Sequence, residues 1–259
     1  LSAPIFIFCT VLGFNHSSRK KEYLLRLYIL SVFMGFIQLF IKYPFGQEYT
    51  KITTNFPRTL FIICVLINIF YYFQKEKRKK LIITFFIWQF LTILSIALLL
   101  NLTNINEKFL AYVLPTTLCS VFNLEGGLVF VFLGILINIV RKDKAKLTIY
   151  FILFTLVYFL IDILKIIPSI IFLFNKIGLF FVSDIVTYIS DVVLGFNPMI
   201  HIDSFSLFNN YQWLMIFSLP FMLVYDNRKG KDIKCLFYIF YPSHIAILYF
   251  IGNHIYNNF

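Results

Sequence analysis

Long apolar runs alternate along the chain with short clusters of charged residues, and this pattern predicts a helical membrane protein. An apolar run of about 20 residues is long enough to cross the hydrocarbon core of a bilayer as a helix. We interpret eight runs as spans, at 1–14 (in part), 23–42, 58–73, 81–100, 110–140, 147–172, 206–225 and 235–252. The expected fold is therefore an all-α, polytopic transmembrane helical bundle, in which residues 1–259 form one integral membrane domain.

The first run is too short to cross the bilayer by itself, and the chain begins with Leu1 rather than with Met. A complete span needs about 20 residues. We therefore expect a further helix before Leu1.

Two segments depart from the simple pattern. The run at 110–140 is too long for one straight span and contains Pro115 and Glu125-Gly126-Gly127. We expect a broken or re-entrant helix followed by a full span, because non-helical backbone is tolerated at membrane depth where protein buries it. In the outer connection at 175–205, apolar and polar residues alternate with helical period over 179–194. This stretch predicts an amphipathic helix at the outer interface, either a lid or a plain surface helix.

Composition supports the membrane class and excludes others. Apolar residues make up 60% of the chain, charged residues 14%, and the mean hydropathy is +0.83, whereas a soluble domain is about half apolar and about a quarter charged. The four cysteines are scattered without the spacing of metal ligands, so we expect no metal cofactor. The net charge of +11 resides mostly in loops, and nothing independent supports binding to nucleic acid.

The distribution of Lys and Arg predicts the orientation of the chain. Basic residues are concentrated in the loops at 18–21, 75–80, 141–146 and 228–234, and such loops face the cytoplasm. Frequent Phe, Ile, Asn and Lys are typical of an AT-rich bacterial genome. We therefore expect a multi-pass protein of the bacterial plasma membrane, with the basic loops in the cytoplasm and the C-terminus outside.

Two ionisable residues inside apolar sequence are the candidates for catalysis. His244 lies in the last run, YIFYPSHIAILYF, and ionisable groups at membrane depth are costly and usually functional. An imidazole titrates near neutral pH, so His244 is either a general base or an interhelical packing residue. Glu125 either orients an imidazole or caps a helix near the outer surface.

Other polar residues allow further readings. Arg26 either reaches the headgroups or joins Arg19, Lys20, Lys21 and Arg228 in binding a phosphorylated ligand. We interpret Asp162 and Lys165 as a structural pair on one helix and Arg58 as an anchor at an outer helix end. His201 and Asp203 have a spacing that could bind a metal, but two ligands are too few to predict a site.

Three stretches together resemble the TraX family of membrane proteins. They are SAPIFIFCTVLGFNHSSRKKEYLLRL, FNLEGGLVFVFLGILINIVRKDK and QWLMIFSLPFMLVYDNRKGKDIKCLFYIFYPSHIAILYFIG. The last stretch is the most specific, because the spacings of its aromatic residues, proline and histidine agree with the family's pattern. Residues 143–205 match little. The chain also departs from the family in having Leu12 before Gly-Phe, where a Glu is usual, and in starting after the family's Asp-His helix.

The resemblance implies a membrane-embedded acyltransferase. The family includes the acetylase of conjugative pilin, which uses acetyl-CoA, and is related in organisation to acyltransferases of surface glycans. By this resemblance His244, Glu125 and Arg26 match residues of the family's pattern. The mechanistic hypothesis that follows makes His244 and Glu125 catalytic, and the acyl-CoA donor would be bound by Arg19, Lys20, Lys21, Arg26 and Arg228. The acceptor would be an amine or hydroxyl of a peptide, glycan or lipid at the cell surface. The alternative is a membrane transporter or an assembly subunit without enzymatic activity.

Overall fold

All regular elements in the described part of the chain are helical. A computed structural model describes residues 2–42, 44–102, 108–196, 211–226 and 234–258. Its α-helices are α1 (Ser2–His16), α2 (Lys20–Phe40), α3 (Phe56–Tyr72), α4 (Lys75–Leu102), α5 (Leu114–Thr117), α6 (Gly127–Val140), α7 (Lys144–Ile163), α8 (Ile166–Lys176), α9 (Phe180–Tyr188), α10 (Leu219–Val224) and α11 (Lys234–Asn258). Short π-helices occupy Phe109–Val113 and Ile189–Leu194, and a 3₁₀ helix occupies Tyr211–Ser218.

Three helical stretches are long and apolar enough to cross a membrane, namely Lys20–Phe40, Lys75–Leu99 and Lys144–Lys176. Four shorter apolar helices are found at Ser2–His16, Phe56–Tyr72, Gly127–Val140 and Trp213–Val224. The helical class predicted from the sequence is therefore confirmed, and the long helices indicate a membrane protein. A bundle of about eight spans remains a prediction.

The core lies where α3 and α6 pack against each other. Ile63 and Ile67 of α3 and Leu133 and Ile137 of α6 are all fully buried. A Cβ on Gly134 would lie 2.6 Å from the Ile63 side chain, so the glycine allows the two helices to approach closely. Helices α1, α2 and α7 surround this pair. By contrast, α4, α8 and the outer side of α7 expose many large apolar side chains, as lipid-facing surfaces do.

The run at 110–140 is broken, as its proline and glycines predict. The π-helix Phe109–Val113 and α5 are followed by an irregular segment, 118–126, and only then by α6. Gly126 and Gly127 both have positive φ angles, of 74° and 59°, a conformation that other residues rarely adopt. The glycines therefore permit the turn that starts α6.

The span predicted at 147–172 lies within Lys144–Lys176, a stretch that is long and apolar enough to cross a membrane, but a break divides this stretch into two helices. Helix α7 ends at Ile163 and α8 begins at Ile166, because Lys165 adopts a left-handed conformation with φ of 49°. The backbone N–H of Lys165 donates to the carbonyl of Asp162 at 3.1 Å and closes the end of α7. The two residues therefore contact each other through the backbone at the end of α7, and Lys165 lies between the two helices.

The stretch 179–194 is helical, as α9 followed by a π-helix. The hydroxyl side chains of Ser183 and Ser190 are buried against the protein. On the exposed side, Phe181 and Ile185 form an apolar edge, and Asp184 lies on the opposite edge. This arrangement of three sectors suits a helix at a membrane interface. Residues 197–205 of the same connection lie outside the described residues.

Candidate functional site

Side chains from α4 and α3 hold the irregular segment 118–126 in place. Trp88 and Gln89 of α4 donate to the carbonyls of Leu118 and Cys119, at 2.8 and 3.2 Å. The amide oxygen of Gln89 also accepts from the backbone N–H of Val121 at 2.9 Å. A buried backbone group without a partner is costly, so these contacts allow a non-helical segment to exist inside a helical bundle.

Arg58 completes this framework from α3. It is only 4% exposed, and its guanidinium donates to the carbonyls of Phe122 and Asn123. Its neighbour Thr59 donates to the backbone carbonyl of Glu125 at 3.0 Å. The interpretation of Arg58 as a membrane anchor is therefore wrong, because the side chain points into the protein and binds backbone.

The carboxyl group of Glu125 lies beside Tyr241 of α11 at the beginning of α3. The Tyr241 hydroxyl and the backbone N–H of Phe56 both lie close enough to the carboxyl group to interact with it. The same N–H also lies 3.0 Å from the Tyr241 oxygen, which accepts from it. The first N–H groups of a helix have no partner within the helix, and its N-terminus favours negative charge. Glu125 therefore interacts with the start of α3, and it does not cap its own helix, whose N-cap residue is Gly126.

Three buried polar atoms around this point have no hydrogen-bond partner in the part of the chain that the structure describes. They are Oδ1 of Asn55, Nε of Arg58 and Oε2 of Glu125. Asn55 is the N-cap residue of α3, and its amide nitrogen donates to the Ser31 carbonyl at 3.0 Å. Native proteins leave few buried polar atoms without a partner, so this cluster distinguishes the site from the surrounding core.

His244 lies one turn further along α11 than Tyr241. The two rings meet edge to face with centroids 5.3 Å apart, and the imidazole also stacks on Phe240 at 5.0 Å. Its Nδ1 is 3.0 Å from the Phe240 carbonyl. Because a carbonyl only accepts, Nδ1 carries a proton in this contact, which leaves the lone pair of the neutral ring on Nε2. The ring is half-buried.

The structure thus brings the two predicted catalytic residues to opposite sides of one tyrosine. Glu125 contacts the hydroxyl of Tyr241, and His244 contacts its ring. Neither Tyr241 nor the role of Arg58 was predicted from the sequence. For Arg58 a signal existed, since it is a cation in a part of the chain that is predicted to lie outside, where basic residues are rare. For Tyr241 there was none, because it is one of 16 tyrosines.

Four of the five predicted donor-binding cations lie at the N-cap or on the first two turns of α2. Arg19 forms an exposed ion pair with Glu22 at 3.4 Å, and Lys21 is exposed. The Nε of Arg26 donates to the Glu22 carbonyl at 3.3 Å, and its guanidinium lies 6.0 Å from the centre of the Tyr23 ring.

Lys20 has a structural role in the same region. Its ammonium donates to the carbonyls of Phe14 and Ser17 at 3.1 and 3.0 Å, where α1 ends. It also lies 4.2 Å from the centre of the Tyr72 ring. Arg228, the fifth predicted residue, lies outside the described residues.

The described residues contain no group of three or more His, Cys, Asp or Glu side chains that could hold a metal ion. His201 and Asp203, which were considered as metal ligands, lie outside the described residues.

Comparison with known proteins adds no identification. No protein-family model matches the chain, and no curated protein and no solved structure matches it. The resemblance to the TraX family therefore stays a prediction that depends on the three stretches of sequence quoted above.

Proposed function

We propose that this protein is a membrane-embedded acyltransferase, which transfers an acetyl or other acyl group from acyl-CoA to an amine or hydroxyl of a secreted or cell-surface acceptor. The observation that supports it best is the polar cluster of Glu125, Arg58 and Tyr241, buried among apolar helices and in contact with His244. Ionisable groups in such surroundings are costly and are usually retained for function.

His244 is the general base of this reaction. Its Nε2 takes the proton of the acceptor N–H or O–H while the nitrogen or oxygen attacks the thioester carbonyl carbon. The carbon–sulfur bond then breaks, and the CoA thiolate leaves and takes up a proton. Proton transfer of this kind contributes about 10²–10⁴ in rate. Tyr241 is a positioning residue, since its ring contacts the imidazole while its hydroxyl interacts with Glu125.

The donor would enter from the side of the basic loops. Arg19, Lys21 and Arg26 lie at the start of α2, where together with Arg228 they would meet the phosphates of CoA, whereas Lys20 donates to the end of α1. Tyr23 of α2 lies within electrostatic range of Tyr238 of α11. Tyr238 precedes His244 by six residues, or about 9 Å along a helix. A thin pantetheine arm is long enough to cover such a distance.

Acyl transfer from radiolabelled acetyl-CoA in membranes containing the protein tests the proposal. We expect His244→Ala to lower the rate by about 10²–10⁴ without loss of folded protein. The matched control is His254→Ala, an exposed histidine on the same helix, which should leave the rate unchanged. Equal rates for the wild type and His244→Ala would remove His244 from the mechanism.

Binding of the donor can be tested apart from the chemistry. A ligand that binds only the folded state raises the melting temperature. Acetyl-CoA should therefore stabilise the detergent-solubilised protein, and should do so equally in His244→Ala. Absence of both binding and transfer would favour the alternative, a transporter or assembly subunit without enzymatic activity.

A further inference from the structure

An apolar groove lies between α6 and α7, on the side of α6 away from α3. It has a volume of about 400 Å³ and is lined by Leu128, Val129, Phe132, Phe154, Val157, Tyr158, Ile161, Leu194 and Phe196. Tyr158 is the one lining residue with a polar side-chain atom, and its ring stacks on Phe196 with centroids 4.8 Å apart. The walls therefore offer almost only carbon atoms to a ligand.

The groove opens onto the exposed apolar side of α7. Val157 and Phe132 line it and are still 54% and 57% exposed. The neighbouring α7 residues Leu153, Leu156 and Leu160 are exposed as well and extend this surface without a break. Because Lys144–Lys176 is long and apolar enough to cross a membrane, the groove is continuous with a surface that faces lipid.

The depth of the groove follows from the position of its lining residues along α7. Phe154 and Ile161 follow Lys144 by ten and seventeen residues, which places them roughly 15–25 Å along the helix axis from its basic end. The hydrocarbon core is about 30 Å thick. The groove therefore lies in the half of the bilayer away from the basic loop at 141–146.

We propose that this groove binds one acyl chain of a bilayer lipid from the leaflet opposite to the basic loops. Its volume is within the range of about 300–1,000 Å³ that ligand sites occupy. Its apolar lining offers no partner to a polar headgroup, and its open side faces the hydrocarbon core of the bilayer, where the acyl chains lie. Binding of the lipid chain does not depend on acyl transfer.

Photo-crosslinking tests the proposal. The protein is reconstituted in phosphatidylcholine vesicles that contain a phosphatidylcholine with a diazirine in one acyl chain. After illumination, mass spectrometry locates the adducts. In the wild type we expect more adduct on groove residues than on the equally exposed open side of α7. In Val157→Trp we expect about tenfold less groove adduct, because a tenfold loss of affinity corresponds to about two methylene groups of the lipid chain that are no longer buried.

Leu156→Trp is the matched control, because Leu156 is the preceding residue, is 50% exposed and does not line the groove. It should leave the groove adduct unchanged. Equal labelling of the groove and the open side, or unchanged labelling in a folded Val157→Trp protein, would overturn the proposal. If Val157→Trp does not fold, the distribution of adducts on the wild type still decides the question.

Discussion

Arg58 is bound to backbone that lies more than 60 residues further along the chain. Its partners are the carbonyls of Phe122 and Asn123, in the segment that precedes α6. An arginine in the interior is costly unless its donors are paired, and here it stabilises carbonyls that would otherwise have no partner. The residue therefore belongs to the framework of the site, although it stands at a helix end in the sequence.

We expect Arg58→Met to lower the free energy of unfolding by about 1–3 kcal/mol, because two partly buried carbonyls lose their donor. The measurement is the unfolding of the purified protein in detergent. Arg19→Met is the control, since that arginine forms an exposed ion pair, and such pairs contribute about 0–1 kcal/mol. Similar losses for both variants would show that the bonds of Arg58 do not stabilise the fold.

The sequence predicts the two ionisable residues of the candidate site but not the tyrosine that lies between them. His244 and Glu125 were recognisable because each is an ionisable group within apolar sequence. Their link through Tyr241 was not, because it depends on how α11 packs beside the start of α3. Hydrogen bonds between residues 185 positions apart leave no local pattern.

Glycine residues allow the loop before α6 and the loop after the π-helix Ile189–Leu194 to cross at close distance. A Cβ on Gly127 would lie 2.2 Å from the carbonyl carbon of Leu194, and one on Gly195 would lie 2.6 Å from the carbonyl carbon of Gly126. This crossing joins the start of α6 to the end of the π-helix Ile189–Leu194. The crossing therefore holds the segment that contains Glu125 in position at the start of α6.

Gly127→Ala should therefore be strongly destabilising. The matched control is Gly178→Ala, because Gly178 also has a positive φ, of 81°, but a Cβ there would meet open space. The control should lower the free energy of unfolding only by the strain of a left-handed alanine, about 1–2 kcal/mol. Thermal unfolding of both variants measures the difference. Equal destabilisation by the two changes would mean that the loops separate without penalty.

A second element-level feature is the cap of α7. The backbone N–H groups of Lys146 and Ala145 donate to the Asp143 carboxylate at 3.1 and 3.0 Å. These bonds hold the pKa of Asp143 below its ordinary value, with the bond from Lys146 as the largest cause. Because the folded-state pKa is the lower one, the stabilisation is complete above the unfolded-state pKa and disappears as the pH falls through the folded-state pKa.

We expect the wild type to melt at a higher temperature than Asp143→Asn at neutral pH, and the two curves to converge as the pH falls below about 4. Asparagine keeps an acceptor for the cap and removes the charge, so the difference reports the carboxylate. Parallel melting temperatures at all pH values would show that ionisation of Asp143 does not affect folding.

The helices themselves were largely predictable, because long apolar runs bounded by charges require backbone hydrogen bonds to be satisfied locally. The break at 164–165 was not, since a left-handed lysine in an apolar run has no distinctive sequence signal. Conversely, Pro115 and Gly126-Gly127 marked the break in the run at 110–140, because both residue types interrupt helices.

For the whole molecule, the arrangement of basic loops determines where the site lies in the membrane. The basic segments at 75–80 and 141–146 follow α3 and α6. The first segment forms the beginning of α4, and the second leads into α7. Since α3 begins near Arg58 and α6 begins just after Glu125, the polar cluster lies at the ends of these helices away from the basic loops. A donor from the cytoplasm and an acceptor from outside would thus approach it from opposite sides.

Labelling of single cysteines tests this orientation. In a background in which Cys9, Cys64, Cys119 and Cys235 are replaced by alanine, we expect Lys51→Cys and Asn258→Cys to react with a membrane-impermeant maleimide added to intact cells. Lys79→Cys and Lys142→Cys should react only after the cells are opened. All four positions are exposed, so a lack of reaction would reflect sidedness rather than burial. If Lys142→Cys reacted in intact cells, the loop at 141–146 would be outside, and the proposed cytoplasmic entry of acyl-CoA would be wrong.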